Sequence, residues 1–352
     1  MVKKLLLIFI LFCSLPLLAQ NSKPNGKITG VLFGDYFYKF DGDSTGFSNQ
    51  YSPYKKSTQG FSIRRTRLHY EHYFTDNFTG NFGIESNEII KLEGKISLIL
   101  YDANFEWKNA VPKSSLLFGL MPAPTFVWGL SERMYGYRSV ERTVADKNGF
   151  GTATDFGVTM KGNFGKDNEY GYNVMIGNGK GLMPEVSKYL KFYTSVYRRF
   201  LENMYFEAYT DYQSAVNNKY KWTTRGLLAW NAKHYSLMFE PVFQYRNNAA
   251  DDSPVNPMAF SLNGRVNLSR KTDKDETEVI NLFGRYDFYN PDSNNGNKGY
   301  FEHFVSVGVD IIPLNNFHIM PNLWMTFYKD KSSLNISRNS DIVGRVTFWF
   351  VY

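Results

Sequence analysis

The chain has 352 residues with 40 Lys and Arg against 33 Asp and Glu, a formal net charge of +7, and one cysteine, Cys13. A lone cysteine excludes a disulfide framework and a thiolate metal centre. Basic residues are dispersed among acids with no Lys/Arg-rich run, which argues against nucleic acid as a partner.

Residues 1–19 read as a secretory signal: a basic start with Lys3 and Lys4, the apolar "LLLIFILFCSLPLL", then a small residue, Ala19, at the expected cleavage point. The apolar run is short for a spanning helix and is broken by Ser14 and Pro16. Removing Lys3 and Lys4 with the signal lowers the charge by two, to +5, and takes Cys13 with it. The expected mature domain is 20–352, with no later apolar run of about 18 residues. Mean hydropathy is −0.38 although 17% of residues are aromatic. That pairing suits strands with one apolar face and belts of aromatic residues.

From residue 26 onward, side-chain character alternates with a period of two, the signature of strands that bury one face. The first such stretch is 26–40, followed by 61–74, 77–86, 95–109 and 114–121. After a long gap come 153–164, 169–178, 189–201, 203–213, 220–232 and 235–246. The stretches 258–270, 277–290, 300–312, 317–328 and the final "DIVGRVTFWFVY" complete a set of sixteen. In that last segment Val346, Phe348, Phe350 and Tyr352 share one face, with Arg345, Thr347 and Trp349 on the other.

The connections alternate long and short. Segment 41–60 is followed by a tight turn at 75–76, the 122–152 segment by "GKDN", and "PDSNNGNKG" by "PLNN". Only the sixth turn, near 271–276, is longer than its fellows. Long connections at one end, tight turns at the other and an even strand count describe an all-β transmembrane antiparallel barrel of about sixteen strands. Such a barrel sits in the outer membrane of a Gram-negative bacterium with both termini periplasmic, closed so that no edge strand faces lipid. The last strand then pairs with the first, and its terminal aromatic matches the signal read by the barrel-assembly machinery.

Parity also assigns the lumen, because a charge on the lipid face near the midplane costs roughly 2–4 kcal/mol. Arg65, Arg67, Lys161, Lys191, Arg199, Arg225, Arg246, Arg265, Arg285 and Arg345 are placed inward. So are Glu71, Asp102, Glu106, Asp155, Glu207, Asp211, Glu240, Asp287, Glu302 and Asp310. The two signs nearly balance, whereas strong anion selectivity needs an unbroken basic track. Arg65 and Arg67 lie at i and i+2, about 7 Å apart along a strand. They form either an anion-facing ladder, the favoured reading because Arg64 adds a third cation, or ion pairs with Glu71 and Asp102. In the long segment 125–148, Arg133, Arg138, Arg142 and Lys147 stand against Glu132, Glu141 and Asp146. The guanidinium forks suit phosphate or carboxylate; the alternative is that Arg138 and Arg142 anchor the segment to wall carboxylates.

The five histidines are scattered, and His69 and His72 are offset by three, which puts them on opposite strand faces and leaves no zinc spacing. By parity His69 and Ser62 also face opposite ways, so no nucleophile and base converge and no enzyme is expected. No cofactor is implied.

The stretch "LLFGLMPAPTFVWGLSERMYGYRSVERTVADKNGFGTATDFGV" (116–158) resembles the third-loop region of the phosphate-selective porins O and P, through Gly119, Pro122, Pro124, Ser131, Glu141, Arg142, Asp155 and Gly157. "FSIRRTRL" (61–68), "LYDANFEW" (100–107) and "IGNGKG" (176–181) resemble other parts of that family. The resemblance implies a sixteen-stranded homotrimeric porin whose third long loop folds inward as a constriction. With the balanced lumen charges, the expected function is passive diffusion of small hydrophilic solutes, weakly favouring anions such as phosphate. The expected anion contacts are Arg65, Arg67, Arg133, Arg138, Arg142, Arg265 and Arg285. The alternative is a non-conducting barrel with a structural or secretion-associated role.

Overall fold

In the computed structural model, residues 25–42, 51–87, 91–92, 95–183, 188–247, 255–269, 279–293, 300–331 and 338–352 are described. The signal segment 1–19 lies outside them.

The strands run β1 (Gly26–Asp41), β2 (Gln59–Tyr73), β3 (Phe78–Asn87), β4 (Lys91–Leu92), β5 (Lys95–Ile96), β6 (Ile99–Val111) and β7 (Ser114–Pro122). Two short helices follow, α1 (Ser131–Tyr135) and α2 (Val144–Lys147). Then come β8 (Thr154–Phe164), β9 (Tyr170–Gly177), β10 (Lys191–Arg199), β11 (Met204–Ser214), β12 (Tyr220–Asn231) and β13 (Tyr235–Asn247). The chain finishes with β14 (Met258–Asn267), β15 (Val279–Asn290), β16 (Tyr300–Leu314), β17 (Phe317–Asp330) and β18 (Asp341–Val351). Sixteen of these close into one antiparallel barrel in which each strand pairs with its sequence neighbours and β18 returns to β1. The remaining two, β4 and β5, form a separate two-stranded hairpin in the connection between β3 and β6. The alternating stretch expected at 95–109 is therefore divided: Lys95 and Ile96 pair back onto β4, and the barrel strand starts at Ile99.

Alternation sorts each strand into an outer apolar and an inner polar face. On β11, Glu207 and Asp211 are buried inward while Phe206 and Tyr212 are exposed outward. On β12, Thr223, Arg225 and Leu227 are inside, with Trp222, Leu228 and Trp230 outside. Aromatic rings gather at both rims of the outer face, the pattern of interfacial belts. Phe78 stacks on Phe105 and Trp107 near the short turns, and Tyr220 on Tyr245 near the long loops.

The β1–β18 seam explains why aromatic residues end the sequence. Gly30 and Tyr352 exchange two backbone hydrogen bonds, 2.8 and 3.1 Å. The Tyr352 ring lies where a side chain on Gly30 would be, 2.0 Å from an ideal Cβ. Phe348 covers Gly34 and Phe40 covers Gly344 in the same way. An aromatic ring laid over a cross-strand glycine fills the surface that the glycine leaves bare.

One bulge alters the parity reading. Phe33 opposes Arg65 and Gly34 opposes Ile63, so Arg64 is the extra residue of β2. Arg64 and Arg65 are consequently both turned inward, 1% and 9% exposed. The shift also brings Ser62, opposite the buried Asp35, to the same face as His69, contrary to the parity expectation. Seven positions of extended chain still hold those two about 20 Å apart.

Candidate functional site: a loop-lined passage

The connection between β7 and β8, residues 123–153, carries both helices. Thr143 caps α2 by accepting from the Asp146 amide at 3.4 Å, and Gly136, at φ 72°, ends α1 in the left-handed conformation that glycine adopts freely. These turns display an apolar edge inside an otherwise polar segment. Leu130, Tyr135, Tyr137 and Val140 pack on Leu227, Ala229, Met238, Phe283 and Met320 of β12, β13, β15 and β17. Phe126, Val144, Ala145 and Phe150 pack on Val242 and Ala259 of β13 and β14. Contacts with inward-facing residues of so many strands place this loop within the barrel. Each large apolar side chain removed from water there contributes about 1.5–3 kcal/mol.

Polar catches fix its position. Glu207 accepts from the Leu130 amide at 2.8 Å, and Glu240 accepts from the Ser131 hydroxyl at 2.6 Å. Arg225 stands between these two carboxylates, 3.0 Å from Glu207 and 3.3 Å from Glu240. Trp324 Nε1 donates to Glu141 at 2.7 Å, and Arg285 donates to the Arg142 carbonyl at 2.6 Å. Arg64, ion-paired to Asp35 at 2.5 Å, donates to the Ser139 carbonyl. Burial would raise the Glu141 carboxyl, but the charges of Arg142 and Lys147 and the Trp324 hydrogen bond outweigh it and hold the group down at about 2. Burial lowers Lys147, whose ammonium lies 3.9 Å from the centre of the Phe304 ring.

The loop covers one side of the lumen. Beneath it the side chains of Arg225, Glu207 and Glu240 are at most 1% exposed. Across the barrel, Arg67 keeps 27%, Lys161 31% and His69 23%. A passage therefore runs along β2, β3, β6 and β8. Its wall carries Arg65 and Arg67, both on Glu85 at 3.5 and 2.5 Å, with Arg67 also 4.1 Å from the Tyr101 ring centre. His69 lies 3.8 Å from Asp102, and Lys161 lies 3.5 Å from Glu106. On the loop side, Arg138 bridges Glu132 and Asp146 at 3.4 and 3.3 Å, and Trp128 offers its ring to Lys161 at 4.4 Å.

The seven arginines singled out from sequence thus separate into groups. Arg65, Arg67 and Arg138 border the passage. The first two share a carboxylate instead of forming the unpaired ladder expected, and their partner is Glu85, neither Glu71 nor Asp102. Arg138 pairs with Glu132 and Asp146 of the loop. Arg133 is exposed on α1, and it lines a second cavity with Arg265 near the short turns. Arg142 contributes its carbonyl to Arg285 and its amide to Glu141. Arg285 does not line the passage: it is 5% exposed, paired with Asp287 at 2.6 Å and covered by the loop. Sequence reasoning missed Glu85 and the catching roles of Glu207, Glu240 and Trp324. Glu85 was within reach, since Phe82 and Ile84 mark the outer face of β3 and parity then turns Glu85 inward. Among the described residues no cluster of His, Cys, Asp or Glu could hold a metal ion.

No protein-family model matches the sequence, and no curated protein is similar to it. Similar solved structures do exist. Outer-membrane channel DcaP of Acinetobacter baumannii superposes with a TM-score of 0.65 at 11% identity, over 94% of this chain and 99% of that one. OmpF of Salmonella typhi, solved with daunomycin, gives 0.62 at 11% identity over 92% and 97%. The anion-selective porin of Comamonas acidovorans gives 0.60 at 11% identity over 93% and 99%. At such identities the likeness is one of fold: this chain is built as a porin barrel is built.

Proposed function

We propose that this protein is a passive diffusion channel of a Gram-negative outer membrane, admitting small hydrophilic solutes and weakly favouring anions such as phosphate. The observation that carries the reading is the one-sided loop. It fills the β11–β17 side of a closed barrel and leaves partly exposed cations on the opposite side, Arg67 of β2 and Lys161 of β8. The likeness to porins, one of them titled anion-selective, supports the same reading. A weak preference, not a strong one, follows from the pairing: Arg65 and Arg67 share one Glu85, a local surplus of one positive charge, and Asp102 beside His69 and the second carboxylate on Arg138 offset it nearby. Delivery by the signal segment, folding through the assembly machinery by way of the last strand, and a homotrimer complete the proposal. The trimer and the phosphate preference rest on the resemblance of 116–158 to the phosphate-selective porins.

A second reading, a non-conducting structural or secretion-associated barrel, draws on the amount of lumen filled by the loop and by buried pairs such as Lys39–Asp341 at 2.7 Å and Lys191–Asp211 at 3.0 Å. Swelling of liposomes carrying the folded protein tests the proposal: small sugars and amino acids enter if it holds, and no swelling overturns it. The reversal potential under a KCl gradient, read before and after phosphate is added, tests the anion preference separately.

A further inference from the structure

A cavity of about 190 Å³ lies between the loop and the short-turn ends of β12–β18. Its room equals roughly six waters. Arg133 enters it from α1 and Arg265 from β14, so two guanidinium groups carried by different elements line one small space. The Arg265 Nε is buried without a hydrogen-bond partner, and its Nη2 reaches only the Ala232 carbonyl at 3.3 Å. The single carboxylate in the lining, Asp310, is already engaged by His318 at 2.8 Å and by the Asn281 amide at 3.3 Å. Asn281 itself is 2% exposed, and its Oδ1 is buried with no donor. Trp349, packed edge-on to His318 at 4.3 Å between centroids, gives the cavity an apolar face.

These groups ask for three things together: negative charge for two arginines, a hydrogen-bond donor for the Asn281 oxygen, and carbon to lie on the indole. We infer that the cavity is a binding site for a small hydroxylated carboxylate. The carboxylate takes the guanidinium forks, which suit a planar two-oxygen group. A hydroxyl donates to Asn281 Oδ1, and the carbon face rests on Trp349. A carboxylate without a hydroxyl leaves the Asn281 oxygen unsatisfied, and a neutral polyol leaves the arginines without charge. The inference goes beyond the channel reading, because occupancy of the cavity requires no conduction.

Calorimetric titration of the folded full-length chain in detergent tests it, with glycerate, acetate, glycerol and inorganic phosphate as probes. Glycerate binds, acetate binds about tenfold or more weakly, and glycerol gives no heat. Arg265→Gln and Arg133→Gln each weaken glycerate about tenfold or more, while Arg265→Lys keeps part of the affinity. Asn281→Ala brings glycerate down to the level of acetate and leaves acetate unchanged. Lys166→Gln, in the short turn between β8 and β9, has no effect. Heat-modifiable gel mobility verifies that each variant is folded. Absence of glycerate binding, equal binding of acetate, tighter binding of phosphate, or a loss with Lys166→Gln but not with Arg265→Gln overturns the assignment. Calorimetry reads no current, so a protein that binds glycerate without conducting upholds the site and removes only the channel reading.

Discussion

Trp324 of the wall donates its indole N–H to Glu141 of the loop at 2.7 Å, in a contact buried from solvent on both sides. Glu141 is held at about 2, below its ordinary 4.5, because Arg142, Lys147 and Trp324 outweigh its burial. A released loop therefore binds the proton before a docked one does. The stabilisation from this carboxylate is complete above about pH 4.5 and is lost as the pH falls through about 2. Limited digestion with pepsin should leave segment 123–153 intact at pH 4 and cut it near pH 2. Trp324→Phe leaves a buried acceptor without its donor, at a cost of about 1–3 kcal/mol, and should raise the pH at which pepsin first cuts the loop.

The two arginines on Glu85 bias the local field beside the passage toward anions. A unit charge 4 Å from an ion in water contributes about 1 kcal/mol, roughly fivefold in local concentration. Arg67→Gln should move the reversal potential toward cations by up to that factor in permeability ratio. Glu85→Gln, which frees both arginines from their shared carboxylate, should move it the other way. Identical potentials in both variants would remove this pair from the conduction path.

Arg225 holds Glu207 and Glu240, and both carboxylates in turn hold the start of α1. Removing one partner of a buried ion pair costs about 3–5 kcal/mol. Arg225→Met leaves two carboxylates facing each other and should lower the thermal unfolding temperature in micelles. Restoring neutrality with Glu207→Gln and Glu240→Gln in the same chain should recover most of the loss.

Gly30 and Tyr352 occupy one another's space at the seam. Gly30→Val forces the Tyr352 ring away, an overpacking cost of about 1–3 kcal/mol. Adding Tyr352→Ala should return part of it. Urea unfolding of the two single variants and the double variant reads the coupling as a cycle.

The strands were legible because the two faces of a barrel impose opposite chemistry on alternate residues, and every one of the sixteen alternating stretches overlaps a barrel strand. Parity carries no warning of an inserted residue, so the bulge at Arg64 reversed the inferred facing of Ser62. It also gives no partner, because cross-strand register depends on how neighbouring strands slide; hence neither the favoured ladder nor the alternative pairing with Glu71 or Asp102 holds, and Arg67 lies on Glu85. The loop was legible as a long arginine-containing segment. Its fastening was not, since Phe126, Leu130, Val140 and Val144 advertise burial without naming the surface they meet. Arg285 shows the cost of judging by side-chain type: a guanidinium in the lumen serves equally as a solute contact or as a strut under the loop, and here it is the strut.

Single-channel recording of the folded protein in a planar bilayer tests the central claim most directly. The account predicts discrete open steps, with a larger unit conductance in a variant from which loop residues 125–148 are removed. A barrel that is folded by gel mobility yet gives no steps, with or without those residues, would contradict it and leave the structural reading in its place.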